Sequence, residues 1–248
     1  MRQPIKAISR NHTCDTPLRE RRNAYAAHLC LRCNETLLDL RALDPQFARV
    51  FGDASVRQIW FTQMLQNAFV ATITGPYRDF GTIGAAALEM VAARRGVTVT
   101  QEEKKAILSE MRRLPPHPET QDALERLRQA GLRLVTLTNS TAQVAEAQIG
   151  NAGLSKYFEQ IFSADAVQRL KPAPEPYRMV ADRLGVALGD LRLIAAHAWD
   201  IAGALRAGCK AAFVARPGMV LDPLAERPDA VGADLREVAE GILEREGG

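Results

Sequence analysis

Lys171 and Asp200, 29 residues apart, are the two charged residues of this chain whose surroundings suggest chemistry. Lys171 opens Lys171-Pro172-Ala173-Pro174, with Pro176 close behind, so its loop is stiff. A stiff loop can hold an ammonium beside a carboxylate, lowering that carboxylate's pKa and orienting it. Asp200 closes His197-Ala198-Trp199-Asp200, directly after the apolar run Leu191–Ala196. An acid at a strand end with a lysine nearby suits orienting water or holding the lysine. Capping a helix over Ile201–Ala207 is a compatible second role for it. His197 is either a proton acceptor or donor near neutral pH or a hydrogen-bonded scaffold residue, and Trp199 reads as packing. Thr138-Asn139-Ser140 ends one apolar run and opens a helical one. Its hydroxyls, its amide and the helix N–H groups together make an anion pocket, and an N-cap alone also accounts for these residue types. Tyr177 is either a site-lining or a helix-packing ring.

These residues need a scaffold that gathers them, and the pattern supplies one. From about Ala42 to Arg113 the periodicity is helical, with Trp60, Met64, Leu65, Ala68 and Val70, then Ile83, Ala86, Ala87, Met90 and Val91, as buried faces. Pro115-Pro116-His117-Pro118 ends that block. Beyond it short apolar runs alternate with helices: a helix over 119–129 stopped near Gly131, a strand over Leu132–Leu137, a helix over Thr141–Ala152, a strand around Ile161-Phe162 and a helix over Pro174–Leu184. A strand over Leu191–Ala196, the short helix at Ile201–Ala207, a strand over Ala211–Ala215 and a closing strand and helix through Leu243 complete the pattern. Alternation of this kind predicts a parallel α/β sheet whose chemistry lies at the carboxyl ends of the strands. The expected division is an α/β core over 29–41 and 115–248, a helical cap over 42–114, and an irregular segment over 1–28.

Bulk composition narrows the function. With 32 basic and 29 acidic side chains the net charge is +3, and no basic stripe with aromatics argues for nucleic acid. No apolar stretch is long enough to span a bilayer. Four cysteines in 248 residues make no disulfide framework, which points to a reducing cytoplasm. The first 33 residues carry seven Lys or Arg against two acids, without the apolar face a targeting segment would have.

In order, Asn34-Glu35-Thr36-Leu37-Leu38-Asp39, Leu134 to Ser140, Lys171-Pro172-Ala173-Pro174 and His197 to Asp200 resemble the motifs of the haloacid dehalogenase superfamily, most closely its type II 2-haloacid dehalogenase branch. The resemblance runs from Asn34 to about Pro223. It implies a Rossmann-like core with an inserted helical cap, and hydrolytic dehalogenation of a short 2-haloalkanoic acid. An Asp carboxylate displaces halide, and water cleaves the resulting ester. It further implies catalytic positions at Arg32, Thr36, Lys171, His197 and Asp200, and substrate contacts at Cys33, Asn34, Phe61, Thr138, Asn139 and Tyr177. No cofactor is needed, because a carboxylate attacks carbon directly. The metal-dependent phosphatases of the superfamily pair two acids in the first motif and add another in the last. Here the second position is Asn34 and the last motif offers only Asp200, too few oxygens for Mg²⁺. A small haloacid or carboxylate is the implied ligand, a homodimer the implied assembly, and neither nucleic acid nor membrane a partner.

Three positions depart from the pattern. Arg32 stands where the family has its nucleophile, and a guanidinium cannot attack carbon. Phe61 stands where an Arg normally receives halide, and His197 where dehalogenases usually have Asn. The genetic code links Leu31-Arg32-Cys33 to the family's Phe-Asp-Val: CTT-CGA-TGT shifted by one base reads TTC-GAT-GT. The expectation is that residues up to Cys33 are translated out of frame, with the frame restored at Asn34. An uninterrupted gene with other codons there would defeat it. Zinc held by Cys30, Cys33, His12 and Cys14 is a competing reading of the same segment.

Overall fold

The computed structural model describes residues 28–247. Six parallel strands form one sheet in the order β3-β2-β1-β4-β5-β6. They are β1 (His28–Leu31), β2 (Arg133–Thr138), β3 (Gln160–Ser163), β4 (Leu191–Ala195), β5 (Lys210–Val214) and β6 (Ala230–Gly232). β1 lies at the centre, paired in register with β2 through Leu29↔Leu134 and with β4 through Leu29↔Arg192. It begins at His28, inside the segment read from sequence as irregular, and every one of its residues is buried.

β1 and β4 are buried on both faces, so neither alternates, as expected for strands covered by helices on both sides. Leu29 and Leu31 pack into one hydrophobic cluster and Cys30 into the other. The chain leaves β1 to build β2 and β3 on one side, then crosses back to build β4 to β6 on the other. That reversal beside β1 creates the crevice at the strand ends where such sheets bind ligands.

Between β1 and β2 lie α1 (Asp44–Phe51), α2 (Val56–Thr74), α3 (Phe80–Arg95) and α4 (Gln101–Glu110). The segments entering and leaving this helical insertion are bonded to each other. Asp39 N donates to Pro115 O at 2.8 Å, and His117 N donates to Leu37 O at 2.9 Å. The proline block therefore lies against Leu37 to Asp39, with Leu38 bridging Pro116. Helix α4 starts on a capping box of Thr100 and Glu103. Within the insertion the Trp60 indole donates to Gly84 O at 2.9 Å, which fixes α2 against α3.

The buried faces differ from those expected at three places. Val70 and Met90 are 53% and 38% exposed, and Ala86 is exposed as well, whereas Phe61 and Leu88 turn inward. Apolar residues are spread around both helices and not gathered on one stripe, so residue type alone does not select a face.

The remaining helices are α5 (Thr120–Gln129), α6 (Ala142–Asn151), α7 (Pro174–Leu184), α8 (Ala198–Ala207) and α9 (Leu235–Gly247). Among the described residues no helix is long and apolar enough to cross a membrane.

Candidate active site

Four strand ends converge on one buried charge cluster. Arg32 follows β1, Asn139 follows β2, Lys171 follows β3, and His197 to Asp200 follow β4. Lys171 Nζ donates to Asp200 Oδ2 at 2.7 Å and to Leu137 O at 2.9 Å. Tyr177, fully buried, donates its hydroxyl to Asp200 Oδ1 at 2.6 Å. Asn139 fixes the lysine's backbone from both sides, accepting from Lys171 N at 2.8 Å and donating to Lys171 O at 3.2 Å. The stiff loop and the strand-end acid thus meet across 29 residues of sequence.

Asp200 lies inside the first turn of α8 and is not its cap; that position belongs to His197, because the helix begins at Ala198. Thr138, Asn139 and Ser140 do not cap α6 either, since Thr141 holds that position. Thr138 Oγ1 instead accepts from Ser140 N at 3.2 Å, shaping the turn that leads into the helix.

Arg32 enters the same cluster. Its Nη1 lies 3.3 Å from Asp200 Oδ2, its Nε donates to Asn34 O at 3.1 Å, and its guanidinium sits 4.4 Å from the centre of the Trp199 ring. Trp199 is therefore part of the site as well as packing. Two cations share one carboxylate here, all three nearly excluded from water. Burial opposes the Asp200 charge, yet Lys171 and Arg32 beside it hold its carboxyl below the usual range. Burial also lowers the Lys171 ammonium, with Asp200 pulling the other way. The Tyr177 hydroxyl is pushed far up by burial and by Asp200, so it remains a donor.

The other expected positions divide into those that touch this cluster and those that shape it. Cys33 is fully buried, its thiol pushed up by burial to about 11. Asn34 points its side chain away, accepting from Gln148 Nε2 at 2.9 Å, while the same nitrogen donates to Met111 O at the base of the insertion. Thr36 Oγ1 accepts from Ala196 N at 2.9 Å, which ties the first motif to the end of β4. Arg216 donates to Thr36 O at 2.7 Å and pairs with Glu119. Phe61 reaches down from α2, its ring 5.9 Å from that of His197.

Glu35, Arg57 and Gln148 belong to the site and were not anticipated. Glu35 adopts a left-handed φ of 62°, uncommon outside glycine, which turns its carboxylate toward His197 Nε2 at 2.8 Å. Arg57, a buried arginine of the insertion, joins Glu35 to Asp44. Burial and Arg32 lower the His197 pKa despite Glu35 and Asp200, so this ring is neutral at neutral pH.

Among the described residues no three His, Cys, Asp or Glu side chains converge on a metal position. Cys30 and Cys33 pack into different hydrophobic clusters, and His12 and Cys14 lie outside the described residues.

Two predictions arise here. A Cβ added at Gly203 of α8 would stand 2.6 Å from Pro172 Cβ and 2.8 Å from the Tyr177 hydroxyl. Gly203→Ala is therefore expected to cost about 1–3 kcal/mol of stability, read from urea denaturation, because the Lys171–Pro172 loop must move. The second concerns pH. Because the folded-state pKa of His197 lies below the ordinary 6.5, the unfolded chain binds its proton first. This stabilisation is full above about pH 6.5 and is lost as pH falls toward the folded value, by at most about 1.4 kcal/mol per pH unit. Urea midpoints measured from about pH 7.5 down to 5 check this, and His197→Phe should flatten the slope by one proton's share.

A family model described as haloacid dehalogenase-like hydrolase matches residues 33–208, opening one residue after Arg32. The chain is 28% identical over 205 residues to (S)-2-haloacid dehalogenase 2 from Pseudomonas sp. (strain CBS-3), covering 82% of this chain and 90% of that one. It is 28% identical over 188 residues to haloacetate dehalogenase H-2 from Moraxella sp. (strain B), covering 76% and 83%. The solved L-2-haloacid dehalogenase from Xanthobacter autotrophicus shares the fold, with a TM-score of 0.81 at 24% identity over 88% of this chain and 98% of that one. With the motifs in order, the sheet in this topology and the model matched over most of its length, the chain belongs to the haloacid dehalogenase-like hydrolase family.

Proposed function

We propose that the site is that of a hydrolytic dehalogenase of short 2-haloalkanoic acids working through an aspartyl ester, with turnover impaired in this chain because Arg32 stands at the nucleophile position. The observation that carries the reading is the 3.3 Å approach of Arg32 Nη1 to Asp200 Oδ2, which Lys171 also holds. A carboxylate carried at position 32 would face that lysine and be kept ionised. The core is assigned to 29–41 and 115–248 and the cap to 42–114, with Phe61 supplied from the cap to the substrate's halide side. Thr138 and Asn139 serve the substrate's charged end. A homodimer in a reducing cytoplasm belongs to the same reading.

The test is halide release from 2-chloropropionate by the unmodified chain beside its Arg32→Asp variant. Full-rate release by the unmodified chain sinks the impairment. A second reading, non-catalytic binding of a small carboxylate, draws support from two buried cations facing one carboxylate. Calorimetry with haloacids and simple carboxylates separates the two, because binding without turnover in both chains favours the second. The nucleotide sequence across codons 20 to 36 decides the frame.

A further inference from the structure

A cavity of about 130 Å³ lies where the helical insertion meets the core. Thr72 at the end of α2 and Tyr77-Arg78 in the loop after it form one wall, and Gln168, Arg169 and Leu170 form the other. None of these residues belongs to the strand-end charge cluster, although Leu170 directly precedes Lys171. The two walls are joined beside the cavity by the Tyr77 hydroxyl, which donates to Asp165 Oδ1 at 2.5 Å. Burial and Asp165 push that hydroxyl up, so it remains a donor. The core wall is a tight turn. Gln168 N donates to Asp165 O at 3.1 Å, and Gln168 takes a left-handed φ of 48°, uncommon outside glycine.

Each wall carries a buried donor with nothing to donate to. Thr72 Oγ1 and Arg169 Nε are shut off from water and have no hydrogen-bond partner among the described residues. A helical threonine can return its hydroxyl to the carbonyl four residues back, as Thr74 does with Val70 O at 2.8 Å, but Thr72 does not. The acid beside Arg169 is Glu175, whose Oε1 stands 3.6 Å from Nε, beyond hydrogen-bond reach. Arg78 donates to Tyr77 O at 3.1 Å, and the neighbouring Asp79 is committed to capping α3 through Thr82. Unmatched donors in a closed space are unfavourable. Two guanidiniums and a hydroxyl select a negatively charged acceptor, and a carboxylate matches the guanidinium edge with two oxygens. The volume limits that acceptor to a small one.

We propose that this cavity is a second ligand site, in which Arg169, Arg78 and the Thr72 hydroxyl hold a short carboxylate between the insertion and the core. The carboxylate oxygens accept from Arg169 Nε and Thr72 Oγ1, and Arg78 adds positive charge at the rim. Occupancy also steadies the loop that carries Lys171, because Leu170 lines the cavity and the next residue is the lysine, whose N donates to Asn139 Oδ1 at 2.8 Å. The site requires neither a nucleophile at position 32 nor the dehalogenase reading.

Two measurements test this. The first is ¹⁵N-arginine NMR of the unmodified full-length chain in sodium acetate, beside sodium chloride at equal ionic strength. The Arg169 Nε–H signal, assigned by its loss in Arg169→Gln, is expected to shift saturably with acetate and not with chloride. No saturable shift, or an equal response to chloride, overturns the proposal. The second is calorimetric titration with acetate. Arg169→Gln and Thr72→Val are each expected to weaken binding by about tenfold or more, the loss of one charge-assisted hydrogen bond. Thr72→Val keeps the charge and nearly the volume of the site, so its effect isolates the hydroxyl, and it decides the matter if Arg169→Gln fails to fold. Unchanged affinity in Thr72→Val would place the acetate elsewhere, the strand-end cluster first, and overturns the proposal.

Discussion

Arg32→Asp is expected to raise halide release from 2-chloropropionate by about 10³-fold or more over the unmodified chain. That is a conservative share of the roughly 10⁶-fold loss seen when a hydrolase's nucleophile is deleted. The backbone at position 32 is already in place: β1 is paired on both sides, and Arg32 N donates to Ile194 O at 3.1 Å. The change therefore swaps one side chain at a fixed strand end. It also corrects the local charge. A guanidinium beside Lys171 adds a second cation to one carboxylate, whereas an aspartate leaves two carboxylates around one ammonium. Trp199 loses the cation over its ring and gains space in front of it. Ion chromatography of released chloride reads the outcome. A folded Arg32→Asp chain with no release at any pH would count against the dehalogenase reading.

Much of this site was legible because it depends on residues whose types constrain backbone or charge. The prolines around Lys171 and the apolar run before Asp200 place both groups at strand ends, and the parallel alternation brings those ends together. The proline block at 115–118 ends the helical run and lies against the segment that follows β1, Leu38 bridging Pro116. What sequence could not supply were contacts made through space by residues with ordinary types. Glu35 reads as one more surface acid until its φ turns it inward. Arg57 reads as a solvated helix charge, yet it is 5% exposed and bridges Glu35 and Asp44. Gln148 joins Asn34 to Met111, and nothing in a lone glutamine signals that. The Asp200 capping role failed on a boundary of three residues, since α8 begins at Ala198 and leaves the acid within its first turn.

Asp200→Asn should be the most destabilising single change in the site, and its size should exceed that of Lys171→Met. Removing the Asp200 charge leaves Lys171 and Arg32 as two buried cations, and both are nearly inaccessible to water. Breaking a buried pair from one side costs about 3–5 kcal/mol, which in a chain of this size lowers Tm by about 10 °C. Lys171→Met is milder, at about 1–3 kcal/mol, because Asp200 keeps Arg32 at 3.3 Å and the Tyr177 hydroxyl at 2.6 Å. The ranking follows from Arg32 and should reverse without it. In the Arg32→Asp background, Lys171→Met leaves two buried carboxylates with no ammonium between them, whereas Asp200→Asn leaves one carboxylate paired with Lys171. Urea denaturation of the four variants beside their two parent chains near pH 7 reads this directly. Equal costs for the two changes in the unmodified chain, or the same order in both backgrounds, would mean that Arg32 does not share Asp200 with the lysine. The charge at position 32 thus sets which partner the fold can least do without.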